Sequence, residues 1–247
     1  MSVRGLRAVA GLVATGALVS ACLPAAATAE GRAIGDLYQA FFAIALVVAG
    51  IVFGLTTFAI LRYRSGRSDE LPEQVRGSTK AEIVWTAIPI LTIVGLFIGT
   101  LVVLNRVEAR SERPGAEIRV EAFRWGWQFS YPAEGVAVSG IGDPGPEAVV
   151  PVGEPVRVTL AAHDVVHAFY VPLFLFKRDA IPGRESSFEF TVEAPGTYRG
   201  QCAEFCGIYH SRMPFTIRAV SRADYEAWLA SQPPTRASSP SASGAAP

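Results

Sequence analysis

Two uninterrupted apolar runs dominate the hydropathy pattern, from about Leu37 to Leu61 and from about Ile83 to Leu104. Neither contains a charged residue, and each is long enough to cross a bilayer as a helix, which takes about 20 residues. A shorter apolar run, Ala8 to Ala21, follows the basic start Met1-Ser-Val-Arg-Gly-Leu-Arg7, the layout of an export signal over residues 1–21. From about Gly115 the period changes. Ala116 to Phe123, Val156 to Ala161, Ser187 to Val192 and Phe215 to Val220 alternate apolar and polar residues, with Pro and Gly clusters between them. Short strands punctuated by turns predict a β-sandwich or small barrel over residues 107–231. Ser221-Arg-Ala-Asp224 resembles a capping box ahead of one short closing helix around Tyr225–Leu229. Residues 232–247, rich in Pro, Ser and Ala, are expected to be a disordered tail.

Charge orients the spans. The segment between them carries Arg62, Arg64, Arg67, Arg76 and Lys80, whereas Cys22 to Asp36 carries only Arg32. Positive charge collects on the cytoplasmic side, so residues 22–106 read as a transmembrane hairpin with a cytoplasmic loop. The β domain then lies outside, in the periplasmic or extracellular space, which agrees with the export signal. Val19-Ser-Ala-Cys22 resembles a bacterial lipobox, whose cysteine becomes the lipidated first residue. Cleavage after Ala27-Thr28-Ala29, discarding Cys22, is the other reading. With 22 basic and 22 acidic residues the net charge is zero, so nothing global suggests nucleic acid as a partner.

The chemistry concentrates in Cys202-Ala-Glu-Phe-Cys206-Gly-Ile-Tyr-His210-Ser-Arg-Met213, with His167 upstream. This loop holds two of the three cysteines, and Met213 is the only methionine besides Met1. Soft sulfur donors mixed with imidazole select copper, zinc or an iron–sulfur cluster. A disulfide between Cys202 and Cys206 leaves both imidazoles and the thioether unexplained. Structural zinc would use both cysteines, His167 and His210, and has no need of Met213. Copper electron-transfer sites recruit a weak axial methionine. The residues alone leave all three readings open.

His167 with Cys202-x-Glu204-x-Cys206-x3-His210-x2-Met213 resembles the copper A centre of cytochrome c oxidase subunit 2. Lys177-Arg-Asp179-Ala-Ile-Pro182-Gly183-Arg184, Glu82-Ile-Val-Trp85-Thr86-Ala-Ile-Pro89 and Trp125-Gly-Trp127 resemble further segments of the same family. The resemblance implies a membrane-anchored α+β protein, a two-helix hairpin followed by a cupredoxin-like β domain. It implies two copper ions bridged by Cys202 and Cys206, each taking one of His167 and His210. Met213 and the backbone carbonyl of Glu204 would be weak ligands.

By the same resemblance the Glu204 side chain would help hold magnesium at the contact with subunit 1, and Trp125 would be where electrons arrive from a c-type cytochrome. Gly126 departs from the family, which usually has an aromatic there. Asp164 would aid docking and hydrogen bonding near the copper, and Glu82 would admit protons. Lys177, Asp179 and Arg184 would face subunit 1. The implied function is electron transfer to heme in subunit 1, in a bacterial membrane complex that includes subunit 3, reduces oxygen and pumps protons. This chain carries no C-x-x-C-H heme motif. A quinol-oxidase subunit would lack the copper ligands, a nitrous oxide reductase would need a histidine-rich catalytic domain, a copper-bearing nitric oxide reductase subunit differs only in its partner, and a zinc-stabilised lipoprotein would not depend on copper.

Overall fold

The computed structural model describes residues 23–64 and 77–233. The export signal, Cys22, most of the inter-span loop and positions 234–247 of the tail lie outside the described residues.

The first unit is helical. Helix α1 spans Ala29–Arg62 and α2 spans Thr79–Val107. Both run beyond the apolar stretches, because backbone hydrogen bonding continues into polar flanks that a hydropathy reading leaves out. Each starts at a hydroxyl cap: Thr28 Oγ1 accepts from the Gly31 N–H at 3.0 Å, and Ser78 Oγ from the Ala81 N–H at 3.4 Å. Phe53, Leu55, Leu91 and Phe97 are among many large apolar side chains left exposed along both helices. Such a surface is stable only against lipid or another apolar partner.

The second unit is a sandwich of two five-stranded sheets. One has the order β3 (Val136–Ile141), β2 (Gly126–Tyr131), β1 (Ala116–Phe123), β5 (Pro155–Ala162), β8 (Ser186–Thr191). The other runs β4 (Glu147–Pro151), β10 (Pro214–Val220), β9 (Gly196–Cys202), β6 (His167–Val171), β7 (Phe176–Ala180). Most pairs are antiparallel, but β1 runs parallel to β5 and β10 parallel to β4. Alternation puts Ile118, Val120, Val156, Val158 and Leu160 inward from the first sheet. Phe169, Phe215 and Ile217 face them from the second. Phe215 lies 4.7 Å from Phe169 and 5.0 Å from Trp127, ring centre to ring centre. Gly200 makes room for this ring, since a Cβ there would sit 2.2 Å from Phe215. Tyr131, buried in the same core, exchanges two 2.8 Å hydrogen bonds with the Val149 backbone and ties the sheets together.

Helix α3, Arg222–Ser231, closes the unit. Ser221 caps it by accepting from the Asp224 N–H at 3.1 Å, as the capping-box pattern predicts. Residues Ala25–Arg32 also belong to this unit.

Candidate metal centre

Three neighbouring strands, β10, β9 and β6, present their ends together. His167 is the first residue of β6, Cys202 the last of β9, and Met213 immediately precedes β10. The pairing of Phe169 with Cys202 sets β6 against β9 in the register that brings His167 to Cys202. The segment 203–213 crosses this end, and a 3-10 turn at His210–Arg212 folds it back. Sheet hydrogen bonding thus fixes three donors, and one short loop supplies the rest.

The donor atoms converge. Cys202 Sγ lies 3.9 Å from Cys206 Sγ, 3.8 Å from His167 Nδ1 and 3.3 Å from the Glu204 carbonyl oxygen. Cys206 Sγ lies 3.5 Å from His210 Nδ1 and 3.9 Å from Met213 Sδ. Each sulfur therefore has its own imidazole. The ligand atoms of His167, Cys202 and Cys206 all fall within 4.8 Å of one another. His167 is fully buried, Cys202, Cys206 and Met213 nearly so, and His210 is half-buried. A sulfur separation of 3.9 Å is far beyond a disulfide bond of about 2.0 Å. Six donors in all, two cysteine sulfurs, two imidazoles, a thioether and a carbonyl, exceed the four that one tetrahedral zinc takes.

Surrounding groups hold these donors in place. Asp164 Oδ1 accepts from the Val165 N–H at 2.7 Å and lies 2.8 Å from His167 Nε2, which turns Nδ1 toward the sulfurs. Its other oxygen accepts from the Arg124 backbone N–H and from Arg124 Nε, at 2.8 and 3.1 Å. Burial pushes the Asp164 carboxyl up, but the hydrogen bonds from His167, Val165 and Arg124 outweigh it and hold the group well below the ordinary range. Burial also lowers the His167 ring, yet Cys202 and Asp164 raise it overall. For Cys202 burial raises the thiol, and the His167 ring together with backbone hydrogen bonds brings it down to about 6. Burial and the neighbouring Cys202 sulfur push Cys206 up to about 12.

The two tryptophans divide. Trp127 is buried, and its Nε1–H donates to the Met213 carbonyl at 3.1 Å, so it fixes the backbone at a donor residue. Trp125 is half-exposed, donates from Nε1 to the Cys206 carbonyl at 3.2 Å, and meets the Tyr209 ring edge-on at 4.9 Å. Gly207, at φ +119°, passes beneath the indole. Gly126 is enclosed: a Cβ would sit 2.4 Å from the Gly140 carbonyl oxygen. An aromatic at that position does not fit this backbone. Trp127 was marked in the sequence only as part of the Trp125-Gly-Trp127 segment, and Tyr209 only as a residue between the donors Cys206 and His210.

Other polar residues fall in distinct places. The Glu204 carboxylate turns from the sulfurs and pairs with Lys177 Nζ at 2.9 Å, and Lys177 also reaches Asp179 at 3.4 Å. Glu82 is exposed in the first turn of α2, where an acid complements the helix dipole. His163 is exposed, 3.4 Å from Glu121. The external acids Asp143, Glu147 and Asp164 are each paired with an arginine, namely Arg199, Arg218 and Arg124.

The chain is similar in sequence to known proteins. Family models described as "Cytochrome C oxidase subunit II, transmembrane domain" and "Cytochrome C oxidase subunit II, periplasmic domain" match residues 16–102 and 143–220. The chain is 31% identical to a "Probable cytochrome c oxidase subunit 2" of Streptomyces avermitilis, over 84% of this chain and 77% of that one. It is 31% identical to the "Cytochrome c oxidase subunit 2" of Cereibacter sphaeroides, over 75% of this chain and 72% of the relative. The solved periplasmic domain of subunit II of cytochrome oxidase from Bradyrhizobium japonicum aligns at 33% identity, covering 50% of this chain and 96% of that domain, with a TM-score of 0.47.

Proposed function

Because this chain belongs to the cytochrome c oxidase subunit 2 family, a subunit of an oxidoreductase complex, we propose that its buried sulfur–imidazole cluster is the complex's point of electron acceptance. The observation that carries the reading is the pair of sulfurs 3.9 Å apart, each with its own imidazole and its own weak donor. Two coppers fit this set: Cys202 and Cys206 would be shared between them, His167 and His210 would bind one each, and Met213 and the Glu204 carbonyl would complete the set. When bound, they would supply a reversible one-electron step between a c-type cytochrome and heme in subunit 1.

This chain's own residues do the rest. Sheet ends fix the donors, and Asp164 and Trp127 hold His167 and Met213, so little rearrangement accompanies a change of charge. Burial of His167 and both sulfurs excludes water. Trp125, half-exposed yet hydrogen-bonded to the Cys206 carbonyl, spans the surface and the cluster and is where the cytochrome's electron arrives. Docking of the cytochrome would draw on aromatic contact at the half-exposed Trp125. The Glu204 carboxylate is available for magnesium against subunit 1 once it leaves Lys177. Oxygen reduction, proton pumping and contact with subunit 3 belong to the assembled complex, with Glu82 as a proton-uptake residue at the cytoplasmic end of α2. Residues 1–21 act as the export signal and residues 107–231 as the external domain.

The full chain in detergent, loaded with copper and read by electron spin resonance, tests this. One unpaired electron shared equally by two coppers is expected. A single-copper pattern, or zinc binding with copper refused, overturns it.

A further inference from the structure

The short segment before the first span is built into the external domain. The Ala27 N–H donates to the Leu173 carbonyl at 2.8 Å, and the Ala27 carbonyl accepts from the Glu193 N–H at 3.0 Å. Thr28, fully buried, bridges antiparallel to Val192. Its hydroxyl caps α1 through the Gly31 N–H. The Glu30 carboxylate accepts from the Thr191 N–H at 2.9 Å and lies 3.4 Å from Thr191 Oγ1. Gly31 packs so closely that a Cβ would sit 2.4 Å from the Phe174 carbonyl oxygen, and Arg32 pairs with Glu193.

Strand β8 is the outer strand of its sheet, and this segment bridges to Val192, immediately past the end of that strand. An exposed strand edge offers unpaired backbone groups to other chains, and proteins cover such edges. Loss of Ala27, Thr28 and Ala29 would leave the Leu173 carbonyl and the Glu193 N–H without these partners, and α1 without its cap. A signal peptidase acting after Ala27-Thr28-Ala29 would remove those three residues.

We infer that residues Ala25–Arg32 are a retained strap of the external domain, and that processing of the exported chain ends before Ala25. The processing claim rests on residues 1–21 being a cleaved signal; the strap does not. Two substitutions separate the possibilities. Ala29 is exposed, so Ala29→Leu blocks a peptidase that needs a small residue there and leaves the packing untouched. Gly31→Leu forces a side chain into the Phe174 backbone.

The test is the N-terminal residue of the mature chain, by mass spectrometry of the membrane-extracted full chain, for the natural sequence and for Ala29→Leu. Expected is a first residue between Cys22 and Ala25 in both, with the same terminus. A natural chain beginning at Glu30, or Ala29→Leu accumulating unprocessed, overturns the inference. A natural chain beginning at Met1 overturns the cleaved-signal reading, and the processing claim with it, without touching the strap. The strap is read separately in Gly31→Leu: its external domain should melt at least about 5 °C below the natural chain. An unchanged melting temperature refutes the strap on its own.

Discussion

At the scale of single residues, donor types are legible in the residues themselves, whereas a support such as Asp164 was marked only through the family resemblance. Cysteine, histidine and methionine advertise metal affinity through atoms they carry whatever the fold, so the loop from Cys202 to Met213 could be read directly. The value of Asp164 lies in a 2.8 Å contact with His167 Nε2 that only the folded turn creates. Asp164→Asn should weaken copper binding about 10- to 100-fold, the usual cost of losing a carboxylate behind a ligating imidazole. A competition titration against a copper chelator measures it, and an unchanged affinity would show that the backbone alone orients the ring. Tyr209 is a second such case. It packs edge-on against Trp125, a contact worth about 0.5–1.5 kcal/mol, so it positions the indole. Tyr209→Ala should slow electron acceptance from the cytochrome by up to about tenfold with the copper spectrum unchanged. Tyr209→Phe keeps the ring and should keep the rate. Equal rates in all three chains would remove Tyr209 from any such role.

At the scale of elements, alternation identified β1, β5, β8 and β10, where one face is buried and the other is not. Strand β6 escaped because four of its five residues are buried, which erases the period of two. β9 escaped because Gly200 occupies an inward position that the Phe215 ring fills from the next strand. Yet these two strands, with β10, hold the metal donors. Charge pairs between elements were equally hidden. Glu189, on β8, is almost buried: it receives Arg157 Nε from β5 and the Ser111 N–H from the segment after α2, both at 2.9 Å. Burial raises this carboxyl, but Ser111 and Arg157 outweigh it and leave it below its ordinary 4.5. A lowered folded value means that the unfolded chain takes up the proton first. The stabilisation is therefore complete above about pH 4.5 and drains away as pH falls through the folded value. Glu189→Gln should cost about 1–3 kcal/mol at neutral pH and flatten the acid limb of a melting-temperature profile. A parallel acid limb in the variant would show that Glu189 contributes nothing to it.

At the scale of the whole molecule, the chain divides its work between lipid and water. Its helices expose apolar side chains throughout, while its β unit buries a complete aromatic core and faces solvent. The metal donors all lie in that second unit, and no heme-attachment motif accompanies them, so the chain by itself should take up one electron and consume no oxygen. The two-span arrangement also fixes which sequences meet which side. Arg67 and Arg76 lie between the spans, and Arg199 and Arg212 beyond them. Trypsin added to intact spheroplasts should therefore cut the β unit and leave the inter-span loop whole. Lysis should then expose the loop. High salt and alkaline carbonate should fail to release the chain before or after digestion, because neither weakens the burial of two apolar helices in hydrocarbon. Loop cleavage in intact spheroplasts with the β unit protected would invert the orientation that the arginine bias assigns. Trp125 and the copper donors would then face the cytoplasm, away from an external cytochrome, so orientation and electron acceptance stand or fall on the same digest.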